Sequence, residues 1–203
     1  DARETGPERA SEEAPASARP ASTSGTPWRE RALTAVLLAA ILLAGGWLRF
    51  TGADWDSGQH LHPDERFLTM VGSSLSLPQD FLGYLDTDTS TLNPRNTGHP
   101  FFSYGTWPIT LTYLTADALE RLRTAPDGSI IEHGWRNALL PDVPGLRSYS
   151  GIYRVGRGLN ALLDLVTVVL VFGIAALLYD RRIALLAAAL QAFTAFHIQQ
   201  AHF

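Results

Sequence analysis

Two adjacent carboxylates, Asp64 and Glu65, sit within His60-Leu61-His62-Pro63-Asp64-Glu65-Arg66-Phe67, and they are the residues of this chain best suited to proton chemistry. A carboxylate can take a proton from an acceptor hydroxyl when burial or neighbouring charge tunes its basicity. The pair follows soon after an apolar run that ends at Phe50, which keeps it within reach of a bilayer surface. The competing account is structural. Proline suits the first turn of a helix, and acidic groups there meet the positive end of the helix dipole.

Other polar residues fall in the same long stretch. His60, His62, His99 and His133 all lie between the first and second apolar runs. His60, His62 and Asp64 together offer imidazole and carboxylate ligands that suit zinc or manganese, although His-x-His outside a strand is a weak metal signature. No cofactor is therefore expected. Asn93-Pro94-Arg95-Asn96-Thr97-Gly98-His99-Pro100 reads as a turn before the next helix. It also offers Arg95 and His99 as donors to phosphate or sugar oxygens. In Tyr153-Arg154-Val155-Gly156-Arg157 the two arginines stand three apart on one helical face. Such pairs usually anchor a helix at the headgroups, but a guanidinium as deep as Arg157 also suits a lipid phosphate. Asp164, about two turns further in, is costly in lipid and should face a polar partner on another helix.

The elements that must hold these groups follow from hydropathy. Residues 1–27 contain no Val, Ile, Leu or aromatic side chain and read as a disordered tail. Residues 28–50 form the first expected transmembrane helix, uncharged from Ala32 to Leu48, with Arg49 as a snorkelling end. A cleaved signal peptide is the minority reading of that run, because a long polar tail precedes it and two apolar runs follow. Residues 51–152 are too long for a simple connector and should carry short helices of their own, over Glu65–Leu75 and Pro108–Arg123. Phe101, Phe102, Tyr104, Trp107 and Tyr113 suit an interfacial helix. Residues 153–179 read as a second transmembrane helix, 180–182 as a turn, and 183–203 as a third, truncated transmembrane helix. Arg29, Arg31, Arg181 and Arg182 then share the cytoplasmic side, which puts 51–152 on the extracytoplasmic face. The expected location is the cell membrane, with several passes and the N-terminus cytoplasmic.

Composition narrows the classes further. The chain is 46% hydrophobic and carries a net charge of −4, which excludes a general nucleic-acid surface. Cys is absent, so disulfides and thiolate metal sites are excluded. All 16 basic residues are Arg. Asp at position 1 and an apolar run still open at Phe203 suggest a piece of a longer protein, inactive alone.

The order of these motifs resembles the N-terminal part of the protein O-mannosyltransferase and aminoarabinose transferase family, integral-membrane glycosyltransferases of the GT-C type. The resemblance rests on His62-Pro63-Asp64-Glu65, on His99-Pro100-Phe101-Phe102, on Arg157-Gly158-Leu159-Asn160-Ala161-Leu162, and on the run from Tyr179 to Ala188. It covers about residues 32–203. Phe101 stands where the family has a second Pro, and Asn160 where it has Ser. The resemblance implies an all-α membrane protein, the N-terminal part of a multi-span helical bundle whose long outer loop carries interfacial helices. It further implies a polyprenyl-phosphate-linked, mannose-like sugar as donor and a hydroxyl of a protein or glycolipid as acceptor, joined with inversion. Asp64 would be the base and Glu65 an orienting group. Arg157, with His99, would face the phosphate, and Arg95 and His62 would add to the substrate walls. A non-catalytic membrane subunit that docks a partner through the same aromatic loop is the alternative.

Overall fold

A computed structural model describes residues 27–124 and 145–203; the tail before Pro27 and the segment that contains His133 lie outside the described residues. Regular structure among the described residues is helical. The elements are α1 (Pro27–Phe50), α2 (Pro63–Ser74), α3 (Phe81–Leu85), a 3-10 turn (Pro94–Thr97), α4 (Thr106–Arg123), α5 (Tyr149–Leu178), α6 (Arg181–Phe193) and α7 (Ala195–Gln200).

Two of these, Trp28–Phe50 and Tyr149–Leu178, are long and apolar enough to cross a membrane. At ~1.5 Å per residue they reach about 35 and 45 Å, against a hydrocarbon core of about 30 Å. Leu33, Leu43, Leu170, Ile174 and Leu177 expose more than half of their surface along them. That lipid-suited exterior encloses a narrow interior of small side chains. Ala184, Ala188 and Ala192 of α6 recur every fourth residue and are fully buried, with Val168 of α5 beside them and Leu38, Ile41 and Leu42 of α1 packed against the cluster. A Cβ on Gly45 would stand 3.3 Å from that of Ala192, so α1 and α6 meet where both residues are small.

The third expected transmembrane helix, over 183–203, is two helices rather than one. Helix α6 has 13 residues, about 20 Å, and α7 has 6. The chain turns extended at Thr194 (φ −65°, ψ 117°). The carbonyl of Ala192 is taken by a guanidinium nitrogen of Arg49 at 2.8 Å. Arg49 is thus no snorkelling end: it is fully buried and faces inward. Asp164 meets it, as the cost of an isolated carboxylate required, with Arg49 Nε donating to Asp164 Oδ2 at 2.6 Å.

A second core gathers at one end of this bundle. Val71 of α2 and Leu75 just after it, Ile109, Tyr113 and Ala116 of α4, and Leu146, Ile152 and Val155 around the start of α5 are buried together. Helix α4 thus packs beside the first turns of α5, not along its apolar run. Pro108 does not break α4, because it falls within the first turn, where no N–H partner is lost. Arg147 ties the two helices from outside, donating to Glu120 at 2.8 Å and to Asp117 at 3.0 Å. At the opposite end Arg181 lies 3.8 Å from Glu30, so the start of α1 and the α5–α6 turn share one end of the bundle.

Candidate functional site

Helix α2 starts where local chemistry requires. Pro63 occupies its first turn, His62 caps it by accepting the Glu65 N–H through Nδ1 at 3.5 Å, and Asp64 and Glu65 lie in that turn. The two carboxylates then diverge. Asp64 is exposed and Glu65 is 7% exposed, on the face that meets α5.

Glu65 is bound in full. Arg157 Nε donates to Glu65 Oε1 at 2.6 Å and Nη2 to Oε2 at 2.7 Å. The same guanidinium holds Asp56 through Nη1 at 3.1 Å and Nη2 at 3.0 Å, and the Ala53 carbonyl through Nη1 at 2.6 Å. A guanidinium has five N–H donors, and these five bonds use the whole set. Arg157 is itself 2% exposed, with the Tyr153 ring 4.8 Å from its Cζ. Arg157, expected to face a donor phosphate, thus has all of its N–H donors engaged by Glu65, Asp56 and Ala53 in this arrangement. Its observed work is to fasten α2 and the 53–61 loop to α5.

Asp56, which the sequence did not single out, organises that loop. Its carboxylate accepts the Gly58 and Leu61 N–H groups at 3.3 Å each, around left-handed residues at Ser57 (φ 49°) and His60 (φ 49°). Such conformations are unfavourable for non-glycine residues and persist where surrounding contacts hold them. Burial alone would raise the Asp56 carboxyl, but Arg157 and the two backbone donors outweigh it and hold the group below its ordinary value of 3.8. His60 is 3% exposed, its ring tilted against that of Tyr149 and edge-on to that of Tyr153, with centroids at 4.4 and 4.7 Å. No group of three or more potential metal ligands forms among the described residues.

Asp64 has a different neighbourhood. Its one side-chain partner among the described residues is Tyr104, whose hydroxyl donates to Oδ1 at 2.8 Å. That bond favours the phenol form and raises the Tyr104 hydroxyl above its usual pKa of 10.0. Tyr104 reaches Asp64 through an aromatic cluster in which Phe67, Phe102 and Tyr104 lie about 6 Å apart. The residue of this region that meets Asp64 is Tyr104, which lies beyond the Asn93–Pro100 segment expected as a wall. His99 stands edge-on to Phe67 at 6.3 Å, and Arg95 is exposed in a 3-10 turn that meets the far end of α2 through Thr97 and Ser74. Neither lines the cavity described next.

That cavity, of about 470 Å³, lies between α2, α4 and α5. Asp64, Glu65, Tyr104, Arg157 and Asn160 are among its polar lining residues, and Leu68, Gly72, Ile109 and Ile152 among its apolar ones. His62, Gln200 and Phe203 border it as well. The structure thus brings together four of the six residues expected at the site, His62, Asp64, Glu65 and Arg157, and leaves Arg95 and His99 outside. Chemically this is a mostly apolar cavity with a carboxylate, Asp64, that keeps one oxygen open.

Neither a protein-family model, nor a curated protein, nor a solved structure matches this chain.

Proposed function

We propose that this chain is the donor-side part of a membrane glycosyltransferase that moves a sugar from a polyprenyl phosphate to an acceptor hydroxyl with inversion, with Asp64 as the general base. One observation carries the reading. Of the two carboxylates on the cavity, Glu65 has both oxygens held by Arg157, while Asp64 is engaged at Oδ1 alone, by a neutral hydroxyl. A base must have a free, basic oxygen within reach of the proton that it removes. Asp64 Oδ2 is the oxygen left open for that role, and the apolar lining of the cavity suits an isoprenoid segment.

In the reaction so proposed, the acceptor oxygen attacks the anomeric carbon as Asp64 takes its proton, and the bond from that carbon to the phosphate oxygen breaks with its electron pair on the phosphate. Inversion follows from a single displacement. Arg157 acts at one remove, by holding Glu65 and the loop behind Asp64. The bilayer is the natural surroundings of such a donor, and the N-terminus would face the cytoplasm with α2 and α4 on the opposite face.

A second reading, a non-catalytic subunit that docks a partner, is favoured by Phe81, Leu82, Phe101 and Trp107, which expose 69, 74, 82 and 70% of their surface. The experiment that separates the two is transfer of radiolabelled mannose from a short-chain polyprenyl phosphomannose by the full-length protein in proteoliposomes. Asp64-dependent transfer is the expected result. Release equal to that from empty vesicles would remove the enzymatic reading and leave the docking one.

A further inference from the structure

A buried ionic cluster in the bundle also fastens one wall of the candidate site. Arg49 at the end of α1 is fully buried and donates to Asp164 of α5 at 2.6 Å, to the Gly45 carbonyl at 2.9 Å and to the Ala192 carbonyl at 2.8 Å. The last of these caps α6 just before the chain breaks at Thr194. On the far side of the break, His197 Nδ1 of α7 lies 3.3 Å from the other oxygen of Asp164. Residues on both sides of the break are thus tied to a single carboxylate and its arginine.

Beyond α7 the chain reaches the cavity. Trp55 Nε1 donates to the His202 carbonyl at 3.1 Å, Asn160 Nδ2 donates to the Phe203 carbonyl at 2.8 Å, and the Phe203 ring lies 4.4 Å from that of His62. Gln200 and Phe203 border the cavity as a result. A continuous helix through 194 would carry α7 onward along the axis of α6, away from this position. The break, and whatever fixes its angle, therefore decides whether the cavity has this wall.

We infer that Arg49, Asp164 and His197 are positioning residues for the candidate site, setting the angle between α6 and α7 so that Gln200 and Phe203 close the cavity and contribute to donor affinity. A buried charge pair is weak as a source of stability but strong as a device that selects one geometry, because either partner left alone is penalised. Polar groups inside a membrane bundle carry such roles more often than they carry packing. The inference deepens the proposed function in that it concerns the same cavity, but its structural half stands without any reaction.

The test uses the full-length protein with Thr51→Cys and His202→Cys, which lie side by side and leave Trp55 in place, in a segment that has no cysteine of its own. A short bis-maleimide reports whether the end of α7 lies against the 51–56 loop. High cross-linking yield is expected in the otherwise unmodified protein and a clearly lower yield with Asp164→Asn. Affinity for a short-chain polyprenyl phosphomannose should fall with Asp164→Asn by ~5-fold or more, the lower end of ordinary coupling between sites. Once the cross-linked molecules are isolated, that affinity should recover. Recovery is the part that a general loss of packing does not predict. An unchanged yield in Asp164→Asn, or restored tethering without restored affinity, would overturn the inference. If Asp164→Asn does not fold, His197→Gln at the partly exposed end of the cluster decides by the same two readouts. Failure of the probe to bind the unmodified protein would remove the proposed donor and the affinity half of the inference with it, while the yield would still decide whether the cluster sets the wall.

Discussion

Helix α5 is one element with two different partners. From Tyr149 to Arg157 it meets α2, α4 and the 51–61 loop through Ile152, Val155, Tyr153 and a guanidinium that holds two carboxylates. From Gly158 to Leu178 it meets α1 and α6 through Val168 and a stripe of alanines. Both stretches are regular helix, so the difference lies in how their neighbours are held. The apolar stretch relies on close approach of small residues and places its one charge against Arg49. The polar stretch relies on a directed set of hydrogen bonds, and it is there that a cavity with an uncommitted carboxylate occurs. A fold can leave Asp64 free because Arg157, not Asp64, carries the electrostatic work of assembly.

The largest effect that tests this division is expected from Arg157→Leu. It leaves Asp56 and Glu65 buried without a counter-charge, and breaking a buried pair in this way costs about 3–5 kcal/mol. Thermal unfolding in detergent should show the loss. Cross-links between α1 and α6 in the bundle should persist if the two stretches are independent; their loss would mean that the bundle and the cavity unit form a single cooperative body.

Asp64→Asn should have the reverse profile. It removes the basic oxygen but keeps the Tyr104 contact, so stability should be unchanged while the transfer rate falls ~100-fold or more, as for loss of a general base. Glu65→Gln should instead lower stability and reduce the rate through disorder of α2. Should the two variants give equal melting temperatures and equal rates, the assignment of one carboxylate to assembly and the other to chemistry would be wrong.

A bulkier side chain probes the apolar stretch alone. Ala188→Leu places new volume in the fully buried α1–α5–α6 contact, and overpacking of this kind costs about 1–3 kcal/mol. Donor affinity in the folded fraction should follow only as far as α7 moves. A change of stability with no change of cross-linking yield at α7 would show that packing and wall position are separable.

Much of this arrangement was legible in the sequence. The apolar runs gave α1 and α5, Pro63 with two acids after it gave the start of α2, and the mixed pattern after Pro108 gave α4. What stayed hidden depends on contacts between distant residues. Asp54-Trp55-Asp56 looks like an ordinary solvated loop until Arg157, 101 residues away in sequence, is seen to enter it. Tyr104 was grouped with interfacial aromatics, because nothing local shows that its hydroxyl meets Asp64. The break at Thr194 lies in a run without Asp, Glu, Lys or Arg, and the side chain that caps the carbonyl of Ala192 just before it comes from α1. Arg95 and His99 lie a few residues before Tyr104, but the 3-10 turn keeps Arg95 at the opposite end of α2 from Asp64. Proximity in sequence to a useful residue did not place them in the cavity.

The smallest expected effect is on acid stability, and it separates Asp56 from the carboxylates that do not organise a loop. The folded state holds the Asp56 carboxyl below 3.8, its ordinary value, so the unfolded chain binds the proton more readily. Stability therefore rises with pH across that window: the contribution of Asp56 is complete above 3.8 and is lost as pH falls through the lower, folded value. Asp56→Asn removes the titration. It should be less stable than the unmodified protein at pH 7, because an amide cannot pair with Arg157 as a carboxylate does, and the gap between the two should narrow at pH 3. The comparison is made with melting temperatures of the full-length protein in detergent, with Asp86→Asn as a control. Asp86 is also held low, by the Thr89 hydroxyl and the Asp88 N–H, but it sits on an exposed turn with no arginine in its hydrogen bonds. A gap that stays constant from pH 7 to pH 3 would mean that Asp56 is not the charged partner of Arg157 in solution, and the assembly role assigned to the polar stretch of α5 would then rest on Glu65 alone.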